Sequence, residues 1–162
     1  MDSAGLTELI EEICRRFGLD GATITVAIVD DGQIADLNRR FLNHPCATDC
    51  LSFDLSDAPA TAGGGTFDLV VNRQMAIRQA AQRRHSSDAE LALYVTHALL
   101  HQLGFDDATD EAAAKMHGTE DEILQHFGYG AVYNTDAPRR GGMTRPQETG
   151  HSSRSRGKDR ET

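Results

Sequence analysis

The residues best able to do chemistry lie in one short run, His97-Ala-Leu-Leu-His101-Gln-Leu-Gly104-Phe-Asp106-Asp107. Positions four apart on a helix differ by only about 40° in direction and about 6 Å in height. His97 and His101 therefore project from one face and can grip a single ion at about 2.0–2.1 Å each. A third donor must approach from another direction, and the next helical turn cannot supply it. Gly104 can end the helix in the left-handed region and turn the chain back. Asp107 then offers a carboxylate to the same ion, and three protein ligands leave one position for water, as catalytic sites do. The bland alternative is that His101 is a hydrogen-bonded core histidine. The zinc-protease pattern needs Glu directly after the first His as general base, and Ala98 stands there, which disfavours a peptidase.

These side chains need a scaffold, and the hydrophobic spacing predicts one. Leu6, Leu9, Ile10, Ile13, Cys14 and Phe17 make residues 6–17 an amphipathic helix stopped by Gly18. Residues 23–29 (TITVAIV) read as a strand. Asp30 or Asp31 caps a helix with Ile34, Leu37 and Phe41 inward. Residues 50–55 (CLSFDL) and 66–71 (TFDLVV) read as two more strands. Asn72 caps a helix reaching about His85. Ser87-Asp88-Ala89-Glu90 reads as a capping box opening the most apolar helix, residues 88–103, which Gly104 ends. A last helix spans about 109–127. Strands early and helices late predict an α+β fold, a single small mixed sheet covered by helices, with the metal site at the end of a core helix.

Composition bounds the class. The 162 residues are 39% hydrophobic and 25% charged, enough for one core. No apolar run approaches the length of a membrane span, and the N-terminus lacks the basic and apolar regions of a signal peptide. Three cysteines are too few and odd in number for a disulfide framework, so a reducing, cytoplasmic setting is expected, without a membrane partner. The net charge of −9 divides unevenly. Residues 139–162 hold seven basic and three acidic side chains, hence +4, while the rest hold nine basic against 22 acidic, hence −13. A domain over residues 1–135 and a disordered basic tail over 136–162 follow from this composition. An acidic body argues against a broad nucleic-acid-binding face, although a local basic strip is compatible with it.

HALLHQLGFDD resembles the signature of the YbeY family, His-Gly-x-Leu-His-x-x-Gly-Tyr-Asp-His. Leu37-Asn38, Thr48-Asp49 and Leu51-Ser52-Phe53 are similar to its Leu-Asn…Thr-Asp-Val-Leu-Ser-Phe block. Asp68-Leu69-Val70-Val71 and Met116…Glu120…Ile123-Leu124 resemble its strand and final helix, so about residues 20–128 are covered in order. The resemblance implies a metal-dependent endoribonuclease of single-stranded RNA, acting in ribosomal RNA maturation and ribosome quality control. It implies ribosomal RNA and the ribosome or ribosomal proteins as partners, and one Zn²⁺ per chain on His97, His101 and Asp107.

Two departures matter. The family's third histidine is Asp107 here, a legitimate ligand that weakens the Lewis acid and favours harder ions such as Mn²⁺. An arginine implied to contact RNA phosphate is Leu42 here. Arg39, one turn earlier, is the first substitute and Arg40 the second; the alternative is that both are solvated surface charges. With arginine and third histidine absent, a weakly or non-catalytic metal-bearing ribosome-assembly factor is the rival reading. Asp106 is expected to cap the helix end or orient a ligand histidine, and Glu120 to form a surface or interhelical hydrogen bond. His44 is a substrate-contact guess. His117 and His126 are expected on a helix surface, His85 at a helix end, Cys46 and Cys50 outside any metal site, and Gly63-Gly64-Gly65 as a flexible run.

Overall fold

A computed structural model describes residues 1–19, 21–56 and 64–132. The expected tail, the last part of the 1–135 domain and Gly63 lie outside the described residues. The elements run α1 (Ser3–Phe17), β1 (Gly21–Val29), α2 (Asp31–Leu42), β2 (Cys50–Asp54), β3 (Gly64–Asn72), α3 (Arg73–Arg83), α4 (Ser87–Gln102) and α5 (Asp110–His126). The fold is α+β with a three-stranded mixed sheet, ordered β1-β3-β2. β1 lies parallel to β3, with Ile24 beside Phe67 and Val26 beside Leu69. β2 runs antiparallel to β3, with Leu51 beside Val70.

Both sheet faces are covered, and period-two alternation decides by what. Ile34 of α2 packs on Leu51 and Val70, with Val29, Leu37, Ala47 and Phe53 around them. On the opposite face, Leu69 and Val71 join Leu9 and Ile13 of α1, Leu99 of α4 and Ile123 and Leu124 of α5. α4 occupies the centre. Its residues 89–96 and 98–100 are all buried, as a helix apolar on every side requires. Among the described residues no helix is long and apolar enough to cross a membrane.

Caps set the boundaries. The Asp30 side chain accepts from Gln33 N and Gln33 returns a bond to Asp30 N, so Asp30, not Asp31, opens α2. Asp31 instead holds Arg78 at 2.7 and 2.9 Å and Asn72 Nδ2 at 2.8 Å, joining α2 to α3. Its carboxyl is thereby held down at about 2, chiefly by the bond from Arg78 and then by Asn72. A depressed acid stabilises the fold fully above its unfolded value near 3.8 and loses that contribution as pH falls toward 2. Arg78→Ala is therefore expected to lower the melting temperature above about pH 4. The gap from the parent should shrink between pH 4 and 2, read from melts at stepped pH.

The expected capping box at Ser87 is corrected. Ser86 caps α4, its hydroxyl accepting from Ala89 N at 3.1 Å, which puts Ala89 at the box's acidic position. Glu90 is not a cap; it is fully buried and faces α3. The glycine run is corrected in part. Gly64 and Gly65 belong to β3, where a Cβ on Gly65 would meet the Phe67 ring at 2.6 Å. Glycine is needed there for that close approach.

Candidate metal centre

α4 presents His97 and His101 on one face, half-buried, with Nε2 atoms 3.1 Å apart. The helix stops as the sequence requires. Gly104 takes φ +85°, its N–H donates to His101 O at 3.0 Å, and Phe105 N donates to Leu100 O at 3.0 Å. Asp106 Oδ1 then accepts from the backbone of Asp107 at 2.8 Å and Ala108 at 3.0 Å, which fixes the turn. The turn carries Asp107 back toward the histidines. One ligand atom each from His97, His101 and Asp107 lie within 4.8 Å of one another.

The remaining ring nitrogens decide how that group behaves. His97 Nδ1 donates to Glu120 Oε1 at 2.7 Å, and His101 Nδ1 donates to the Phe105 carbonyl at 3.1 Å. A carboxylate and a carbonyl only accept, so each neutral ring carries its proton on Nδ1. The two Nε2 atoms then face each other at 3.1 Å, placed to share one proton or to bind one cation. Two donors at 2.0–2.1 Å from a tetrahedral ion are separated by about 3.3 Å, so the donor set fits a divalent metal. Burial opposes a charged His97 ring, yet Glu120, then Asp49 and Asp107, raise its pKa above the usual value.

Of the two roles expected for Glu120, surface or interhelical, the structure shows the second: it is a fully buried bridge from α5 to α4. Its second oxygen accepts from His117 Nδ1 at 2.9 Å, so His117, expected on the surface, is half-buried at the centre's rear. A buried carboxylate that fixes a ligand's tautomer commonly controls metal affinity. Glu120→Gln, which keeps the volume, is expected to weaken metal binding by about 10- to 100-fold, measured by competition with a chromogenic chelator.

Other sequence candidates lie elsewhere. Arg39 sits on the exposed face of α2 in an ion pair with Asp36 at 2.8 Å, outside the three-residue group. Arg40 and Leu42 are exposed on the same helix, and His44 is exposed beyond it. Cys46 is exposed, and Cys50 has its thiol pushed well up by burial, then by Asp49 and Glu120, which keeps it protonated and a poor ligand. His126 is exposed as expected.

A second polar cluster went unread in the sequence. Glu90 Oε1 accepts from Arg83 Nη1 at 3.1 Å. His85 Nε2 lies 3.0 Å from Glu90 Oε2, close enough for an ion pair but too poorly aligned for a hydrogen bond. Burial and then the Glu90 carboxylate raise the Tyr94 phenol above its ordinary value. The signal was present. Glu90, Tyr94, His97 and His101 recur at four, three and four residues, one stripe of α4. Glu90, Tyr94 and His97 of that stripe line a cavity of about 220 Å³, running from His97 and Glu120 past Asp49 to Gln79 and Arg83 of α3.

Comparison with known proteins accords with this arrangement. Residues 2–128 match the family model described as Endoribonuclease YbeY. A Macrococcus caseolyticus endoribonuclease YbeY is 34% identical over 116 residues, covering 66% of this chain and 73% of that one. A Bacillus cereus endoribonuclease YbeY is 31% identical over 134 residues, covering 77% and 86%. The solution structure of a Thermotoga maritima protein shares the fold, with TM-score 0.58 and 22% identity over 86% of this chain and 90% of that one. With helix, glycine turn and buried glutamate in this order, and with the match spanning nearly all described residues, the chain belongs to the YbeY endoribonuclease family.

Proposed function

We propose that the chain is a metal-dependent endoribonuclease that hydrolyses phosphodiester bonds of single-stranded RNA, with ribosomal RNA during maturation and quality control as its substrate. The observation that carries the reading is the convergence of His97 Nε2, His101 Nε2 and the Asp107 carboxylate, with one ligand atom from each within 4.8 Å of the others. A divalent ion, Zn²⁺ or a harder ion such as Mn²⁺, supplies Lewis acidity and an acidified water when held there. The chain's own residues do the rest. Glu120 holds the His97 proton on Nδ1 and keeps Nε2 free. Phe105 O does the same for His101. Asp107, a carboxylate where the signature it resembles has histidine, lowers the positive charge of the centre and selects for harder ions.

Phosphate neutralisation falls to Arg39, at the price of releasing Asp36, with Arg40 next. The basic residues of 139–162 add salt-dependent attraction, and a ribosomal surface supplies affinity the acidic body lacks. A reducing cytoplasmic location suits the free cysteines. One observation favours a second reading. Leu42, 53% exposed, cannot contact phosphate electrostatically, so a metal-bearing assembly factor without catalysis is the rival.

The test is cleavage of single-stranded RNA with and without chelator, with ribosome association measured in parallel. Chelator-sensitive cleavage is expected, and Arg39→Ala should reduce it by about tenfold, the worth of one charge-assisted phosphate contact. Undiminished cleavage removes Arg39 from the machinery. Ribosome association with no cleavage makes the assembly-factor reading correct.

A further inference from the structure

The cavity beside His97 has more polar apparatus than metal binding needs. It is lined by Asp49 just before β2, by Met75, Gln79 and Arg83 of α3, and by Leu93 and Tyr94 of α4 among others. Its chemistry excludes several ligands. Three carboxylates (Asp49, Glu90 and Glu120) repel a free phosphate. A second divalent ion is also disfavoured, because Glu90 is engaged by Arg83 and His85 and Glu120 by two histidines. Its volume of about 220 Å³ is below the 300 Å³ or more of sites for larger small molecules, and suits one flat ring system.

What the cavity offers is a donor–acceptor pair between apolar walls. Asp49 Oδ1 is occupied, accepting from Thr48 Oγ1 at 2.9 Å and Cys50 N at 2.7 Å. Its Oδ2 makes neither of those two bonds, and the carboxylate lines the cavity as an acceptor. Arg83, 30% exposed, gives one N–H to Glu90 and has further N–H donors on the same planar fork. Met75 and Leu93 supply surface for a ring, and the Gln79 amide can donate or accept.

We infer that this cavity is a nucleobase pocket that selects guanine in the nucleotide flanking the scissile phosphate, Asp49 accepting from its N1–H and amino group and Arg83 donating to its O6 or N7. The inference rests on the nuclease reading above. Guanine presents two adjacent donors to one carboxylate and two acceptors to a guanidinium. Uracil has no amino group and presents a single N3–H flanked by two carbonyls that the Asp49 carboxylate repels. The pocket shares His97 with the metal centre and lies along the Glu90–Tyr94–His97 stripe. From residue 90 to residue 97 the helix rises about 10 Å, so a base and its neighbouring phosphate occupy pocket and centre together.

Titrating the full chain with guanosine, adenosine, cytidine and uridine tests this without relying on catalysis, since none carries a phosphate. Saturable heat and amide shifts at Gln79, Leu93 and Tyr94 are expected for guanosine, at least about tenfold tighter than for uridine. Asp49→Asn keeps Oδ1 for Thr48 and Cys50 while turning the other acceptor into a donor. It should erase the guanosine preference and gain uridine. If that variant unfolds, Gln79→Ala on the outer helix serves instead, with a several-fold loss of guanosine binding expected. Equal affinity for all four nucleosides, no saturable binding, or a guanosine preference unchanged in the variants overturns the pocket. Cleavage of oligonucleotides differing in one base separates the two claims. Cuts indifferent to base, without nucleoside binding, sink the pocket and leave the nuclease standing. Selective guanosine binding without any cut sinks the nuclease and leaves the pocket.

Discussion

His97→Ala is expected to release the metal and to lower RNA cleavage by on the order of 10³-fold, since it removes several kcal/mol of charge stabilisation at the reacting phosphate. Elemental analysis of variant beside parent is the primary readout, because it measures the ion directly. The parent should carry about one divalent ion per chain and the variant nearly none. The fold should survive. His97 is only half-buried, and the lost imidazole leaves Glu120 bonded to His117. Far-ultraviolet circular dichroism should therefore be unchanged. Equal metal content in the two proteins would remove His97 from the ligand set. His101→Ala is expected to behave alike, whereas Asp107→His should bind the ion more tightly, since imidazole is the softer ligand and zinc the borderline ion.

The largest stability effect should come from the helix that carries those ligands. Leu99→Ala removes a side chain with no exposure, packed in the cluster that joins α4 to α1, α5 and β3. Leucine-to-alanine changes at such sites cost about 2–5 kcal/mol, the spread reflecting how far neighbours collapse into the space. α4 is packed on every side, so little collapse is available, and a cost near 4 kcal/mol is expected. For a chain of this size that lowers the melting temperature by roughly 10–15 °C. Denaturant melts should show a lower midpoint at unchanged slope. A loss below about 1 kcal/mol would mean that α4 is not the structural centre described.

Local features were legible and distant ones were not, for physical reasons. The pair of histidines, the turn at Gly104 and the return of Asp107 are set within eleven consecutive residues, where helical geometry alone fixes direction. The starts of α2 and α3 were legible too, α2 to within the choice of Asp30 or Asp31 and α3 through Asn72. By contrast, Glu120 is 23 residues from His97, and periodicity says only that it lies on some face of α5. Its role depends on how α5 settles against α4, which no local rule encodes. Glu90 misled for a related reason. An acid three residues after a serine fits a capping box, but burial against Arg83 and His85 outweighs a few tenths of a kcal/mol of capping. The convergence of Asp49 with Gln79 and Arg83 of α3 on one cavity was likewise invisible, because it depends on how distant segments pack.

Glu120 belongs to the last described helix, and it is the atom-to-atom tie between that helix and a ligand imidazole. Whatever immobilises His97 also steadies α5 through that bond. Depleting the protein of cation should therefore loosen α5 ahead of the rest, seen as faster amide hydrogen exchange at Met116, Ile123 and Leu124 while Leu69 and Val71 stay protected. A cell short of the ion would then hold not merely an idle enzyme but one with α5 loosened and open to proteolysis.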